Sequence, residues 1–151
     1  MKRRTLFSIA AACALPALAQ PACSIYAQQL VDSTLAKHPE ITVMALHVTP
    51  PQGKQNIIIA SNIGRIGKLA DADDMSVLET GKPRIERTRT GDLSVELRLL
   101  DAGGNTVGVM GSTFSAKVAT DNAIALDLAE KVRDELRGKT TSLAGLFEPV
   151  R

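Results

Sequence analysis

The chain has 151 residues, with 18 Lys and Arg against 16 Asp and Glu, two cysteines, one tyrosine, three phenylalanines and no tryptophan. Three of the basic residues, Lys2, Arg3 and Arg4, precede an apolar run from Leu6 to Leu18 that closes on Ala17-Leu18-Ala19, the pattern of a cleavable secretory signal. Without residues 1–19 the balance is 15 basic against 16 acidic residues, a net −1. That charge, with so few aromatic rings, excludes a nucleic-acid binder working by charge and base stacking.

The apolar run is too short for a bilayer-spanning helix. The expectation is an exported chain, periplasmic or secreted, that begins near Gln20, with one domain over residues 20–140 and a tail over 141–151. Cys13 leaves with the signal and Cys23 is then alone. No disulfide framework or zinc-binding spacing is available, and no cofactor is implied.

Ser24 is placed to cap a helix through Tyr26, Leu30, Val31 and Leu35, whose spacing makes one apolar stripe. His38-Pro39 ends it, because the residue before proline is pushed out of the helical region. Ile41 to Val48 reads as a strand, Thr49 to Gly53 as a turn, and Asn56 to Ala60 as a second strand with apolar residues on both faces. Ser61 to Ala70 carries Gly64 and Gly67 among polar and basic residues, a loop whose backbone N–H groups are expected to be free for a ligand. Asp71, Asp73 and Asp74 then sit at the start of a short helix, where its dipole favours carboxylates, and Gly81-Lys82-Pro83 ends it. Arg84 to Thr88 reads as a third strand.

The centre of the chain is the stretch from Leu93 to Phe114. Leu93, Val95, Leu97 and Leu99 alternate with Ser94, Glu96 and Arg98, the period of a strand with one buried face. Asp101-Ala102-Gly103-Gly104-Asn105 makes a reversal, and β-branched and apolar residues then resume. Gly108 is expected across this hairpin from Arg98. Asp121 caps a final helix carrying Ala125, Ala129, Val132 and Leu136, with Gly138 as its stop. The tail beyond either packs through Leu143, Leu146 and Phe147 or stays loose.

Several short motifs stand in a telling order: Ala60-Ser61-Asn62, Ile66-Gly67-Lys68, Leu78-Glu79-Thr80-Gly81-Lys82-Pro83, and Leu99-x-Asp101-x-x-Gly104-x-x-Val107-Gly108. Between Ser24 and Phe114 the chain resembles the single-Cache or PDC domain, the PAS-like extracytoplasmic sensor of bacterial kinases and chemoreceptors. The resemblance implies an α+β fold: a five-stranded antiparallel sheet, a long N-terminal helix on one face and a C-terminal helix. It also implies a small ligand, a carboxylate in the citrate- and fumarate-sensing members, held under the loop after the second strand. Those members carry an arginine and a histidine beside the loop serine, where this chain has Asn62 and Ile63.

The expected ligand-binding residues are therefore Ser61, Asn62, Arg65, Glu96 and Arg98. Ser61 and Asn62 match the loop position, Arg65 offers a guanidinium fork to a carboxylate, and Glu96 and Arg98 share the polar face of the central strand. Solvated roles for Arg65, Lys68, Glu96 and Arg98 and a structural role for His47 are the blander alternatives. No G-x-S-x-G elbow occurs and Cys23 has no neighbouring histidine, so a binding domain is expected rather than an enzyme. The expected partner is a small molecule. The alternative is a membrane receptor or transporter on which the domain docks without a ligand, and a homodimer stays open.

Overall fold

The computed structural model describes residues 24–150. Residues 1–23, with the expected signal segment and Cys23, lie outside the described residues. No helix among those described is long and apolar enough to cross a membrane.

In chain order the elements are β1 (Ser24–Ile25), α1 (Tyr26–Lys37), β2 (Ile41–Val48), β3 (Ile57–Ser61), α2 (Ala72–Thr80), β4 (Arg84–Arg87), β5 (Leu93–Leu100), β6 (Thr106–Phe114), α3 (Asn122–Lys139), a short 3-10 turn at Ala144–Phe147, and β7 (Pro149–Val150). Five strands form an antiparallel sheet in the order β3-β2-β6-β5-β4. The expected α+β architecture is present, with the central hairpin β5–β6 in the middle of the sheet.

The alternation in β5 decides which face is which. Leu93, Val95, Leu97 and Leu99 are buried, and they share one core with Ala27, Leu30 and Val31 of α1 and with Ala125, Ala129, Val132 and Leu136 of α3. Both long helices thus cover one face of the sheet. The short helix α2 lies on the other, where Val77 and Val109 are buried outside that main core. Asp71 starts α2 with a reciprocal cap: its side chain accepts from the N–H groups of Asp73 and Asp74, and Asp74 accepts from the N–H of Asp71. Gly81, at φ 72°, ends it in the left-handed conformation that glycine adopts without strain.

Three local expectations change. Ser24 does not cap α1; it pairs with Val150 in a small β1–β7 sheet, and the Tyr26 N–H donates to Glu148 O at 2.8 Å. The tail therefore supplies the acceptor that a capping side chain would have given. It also buries Leu146 in the core. Gly138 does not stop α3, which continues to Lys139 and ends at Thr140; the hydroxyl of Thr140 donates to Leu136 O at 2.9 Å. Its carbonyl accepts from Ala102, tying the helix end to the hairpin turn. Gly108 lies opposite Leu99 rather than Arg98, because the pairing runs Arg98 to Val109. It serves close packing: a Cβ there would collide with the His47 carbonyl oxygen of β2.

Candidate functional site

The polar face of the sheet under α2 is built by register. Ser94 pairs with Thr113 and Glu96 with Gly111 across β5–β6, while Gly111 pairs with Ala45 and Val109 with His47 across β6–β2. These positions bring Glu96, Gly111, Ala45 and His47 onto one surface. Gly111 carries no side chain, and a Cβ there would meet nothing nearer than the Ala45 carbonyl at 4.0 Å. The sheet face is therefore open at its middle.

The loop after β3 closes over this opening. Asn62 holds its start, accepting from the Met44 N–H at 2.9 Å and donating to Thr42 O at 3.1 Å. Gly64, Arg65 and Gly67 all have positive φ, and Arg65 is the one described non-glycine residue that does. The chain then doubles back along β3, with Gly67 N–H on Ile58 O, Ile58 N–H on Lys68 O and Ala70 N–H on Asn56 O, all at 2.8–2.9 Å. Several of the amides expected to be free for a ligand are thus spent on fixing the loop.

Between loop, α2 and sheet lies a recess of ≈160 Å³. Its floor is Ala45, His47, Ser94, Glu96, Gly111 and Thr113, and its other walls include Val43, Ile58, Ile63, Asp71 and Asp74. Arg65 and Lys68, both exposed, stand at its rim. A roomier groove of ≈480 Å³ runs between α2 and β4; of its charged members Arg84 and Asp73 pair with each other, and Lys82 is exposed. The recess is the better candidate because it alone of the two is lined by a residue, Glu96, with a buried carboxylate oxygen that has no partner among the described residues.

Asp74 is buried and tied down. Its carboxylate accepts from the Asp71 N–H at 3.0 Å and lies 3.1 Å from His47 Nδ1, a close polar contact without the linear geometry of a hydrogen bond. Burial pushes Asp74 up. The contacts with His47 and the Asp71 N–H, and the charge of Lys68, outweigh it and hold this carboxyl below its ordinary value.

Glu96 is the opposite case. Its Oε2 is buried with no hydrogen-bond partner among the described residues. Desolvation, and after it the negative charge of Asp74, push its pKa up to about 6. The arginines beside it are committed elsewhere. Arg84, directly across from Glu96 in the β4–β5 register, pairs with Asp73 and Glu86. Arg98, two residues along β5, donates from Nε to Leu78 O at 3.0 Å and from Nη2 to Glu79 O at 2.8 Å, clamping the C-terminal end of α2. It also lies where a Cβ at Gly81 would have to go.

Of the five residues expected at the site, Arg65 and Glu96 meet in the recess. Ser61, Asn62 and Arg98 form its frame: Ser61 Oγ accepts from the Ile63 N–H at 3.1 Å, and the other two bond backbone as described. The sequence reading left out Asp74 and gave His47 and Lys68 bland roles. The signal for Asp74 was present in the capping box, which fixes that side chain at the helix start, facing the sheet.

No protein-family model matches the sequence, and no curated protein matches it. Solved structures do. The chain is similar to the GAF domain region of a Geobacter sulfurreducens PCA protein, with 12% identity over 73% of this chain and 87% of that one at a TM-score of 0.53. It is similar also to the Agobacterium tumefaciens repressor BlcR, with 14% identity over 77% of this chain and 67% of that one at a TM-score of 0.50. At such identities the likeness establishes the fold: a PAS/GAF-like α+β domain.

Proposed function

We propose that this chain is an exported, sensor-like domain that binds a small molecule in the recess between the sheet and the loop after β3. The observation that carries the reading is Glu96 Oε2, a buried acceptor with no partner among the described residues, at the floor of a polar recess. Buried polar atoms are as a rule satisfied, and a concave site with a few convergent polar groups and a perturbed carboxyl is the usual shape of a small-molecule site. Arg65 and Lys68 at the rim favour a ligand with a carboxylate. The narrower single-Cache resemblance rests on the motifs around Ser61, Gly81 and Asp101, and export on Lys2 to Ala19. The role is binding rather than catalysis: Asp71 and Asp74 are occupied by helix capping. The exposed Ile63, Ile66 and Leu69 on the same loop favour a second reading, in which this loop docks a membrane receptor or transporter.

A thermal-shift screen of organic acids, amino acids and amines on the purified chain tests the proposal. A ligand at one hundred times its dissociation constant adds about 2.7 kcal/mol, a rise of very roughly 5–10 °C. Arg65→Ala should abolish most of that rise and leave the unliganded melting point in place, since the side chain is exposed and no hydrogen bond from the described residues holds it. A screen without a single stabilising compound would leave the docking reading in its place.

A further inference from the structure

We propose that the ligand is a small zwitterion, with its ammonium group against the Glu96 carboxylate and its carboxylate at Arg65 and Lys68; this rests on the binding reading above and names the class of compound. The charges of the recess are partly segregated. Both cations, Arg65 and Lys68, stand exposed on the loop at the rim, as does the capping Asp71, while Asp74 in the first turn of α2 is buried and Glu96 on the sheet is half-buried. Among the acids lining the recess only Glu96 has a fully buried oxygen without a partner among the described residues. Asp71 receives two helix N–H groups, and Asp74 receives another and faces His47. Arg84, across from Glu96 in β4, is bonded to Asp73 and Glu86, and Arg98, two residues along β5, is bonded to the end of α2. A carboxylate held this way, desolvated and beside a second carboxylate, calls for a cationic hydrogen-bond donor. A purely anionic ligand satisfies the rim and leaves the floor worse off, because it adds a third negative charge beside Glu96 and Asp74. A ligand with both groups satisfies both ends.

Size narrows the class. A cavity of about 150 Å³ admits a molecule of about six heavy atoms, and the recess offers ≈160 Å³. Alanine has that size. Larger amino acids have to extend past the rim.

Titration calorimetry on the purified chain with L-alanine, propionate and ethylamine separates the parts, since the second lacks the ammonium and the third the carboxylate. The expected result is that L-alanine binds at least tenfold more tightly than either. In Glu96→Gln, an isosteric change, the advantage of L-alanine over propionate should shrink to less than about threefold while propionate binds no worse. In Arg65→Ala the advantage over ethylamine should shrink instead. Propionate binding as tightly as L-alanine, or an unchanged preference in Glu96→Gln, overturns the zwitterion and leaves the small-molecule reading standing. Ethylamine binding as tightly as L-alanine overturns the carboxylate half, and with it the assignment. No heat from L-alanine, together with a stabilising compound of another class in the screen, overturns this inference alone. No binding by any compound overturns both.

Discussion

Replacing Glu96 by Gln should stabilise the unliganded protein, and the gain should depend on pH in a definite direction. Burial, first, and the neighbouring Asp74 charge raise the Glu96 pKa from an ordinary 4.5 to about 6. A carboxyl whose folded pKa lies above its unfolded value binds its proton more tightly in the fold. Its ionised form therefore costs stability, and that cost grows as pH rises from about 4.5 through 6. At about 1.36 kcal/mol per pKa unit the ceiling is about 2 kcal/mol. Water still reaches part of the side chain, and screening cuts the value to about 1 kcal/mol. Gln keeps the shape and removes the charge, so at pH 7.5 the variant should melt higher by about 3–5 °C for a domain of this size. Well below pH 4.5, where Glu96 is protonated in both states, the stability difference should lose its pH dependence and the two melting curves should converge. Asp71, Asp74 and His47 also line this recess, and Arg84 faces Glu96 from β4; they are common to both proteins, so the difference isolates the one carboxyl. Circular-dichroism melts between pH 4 and 8 measure it. A variant less stable than the parent at pH 7.5, or a difference that does not change with pH, would mean that Glu96 is satisfied in the fold.

Arg98→Ala should cost about 1–2 kcal/mol in urea denaturation, because two charge-assisted bonds to the end of α2 are lost, one of them exposed; an unchanged midpoint would remove Arg98 from the frame. Leu97→Asp should destabilise by about 4 kcal/mol or more, since Leu97 is 2% exposed in the main core and an unpaired charge there has no partner. A variant that melts like the parent would reverse the assignment of the sheet faces. Asn62→Ala should loosen the loop entry, seen as faster hydrogen exchange at the Met44 amide, which now donates to Asn62 Oδ1; equal exchange rates would show that the loop is held from elsewhere.

The parts of this structure legible in the sequence are those written locally. The alternation from Leu93 to Leu99 depends only on the strand's own period, and it assigns the two faces of the sheet before any partner is known. The Asp71 cap and the Gly81 stop are likewise short-range signals, and both hold. The readings that changed are those in which a distant segment competes for the same group. Ser24 has good capping chemistry, but residues 149–150 arrive from the other end of the chain and take it into a strand. Glycine at 138 is an ordinary stop signal, yet Thr140, which bonds back to Leu136 and forward to the hairpin turn, sets the end. Arg98 occupies the polar face just as the alternation requires. The direction its long side chain takes is decided by the carbonyls of α2, twenty residues away in sequence, and nothing in β5 encodes it. The same holds for Glu96, whose isolation follows from two arginines being bonded elsewhere.

The central claim, that the recess on the polar sheet face holds a ligand, is tested most directly by backbone amide chemical-shift mapping with the most stabilising compound of the screen. The account predicts that the shifts concentrate at residues 62–71, Ser94, Glu96, Gly111 and Thr113, and that α1 and α3 stay silent. Shifts centred on α1 and α3, or on the groove between α2 and β4, would contradict it.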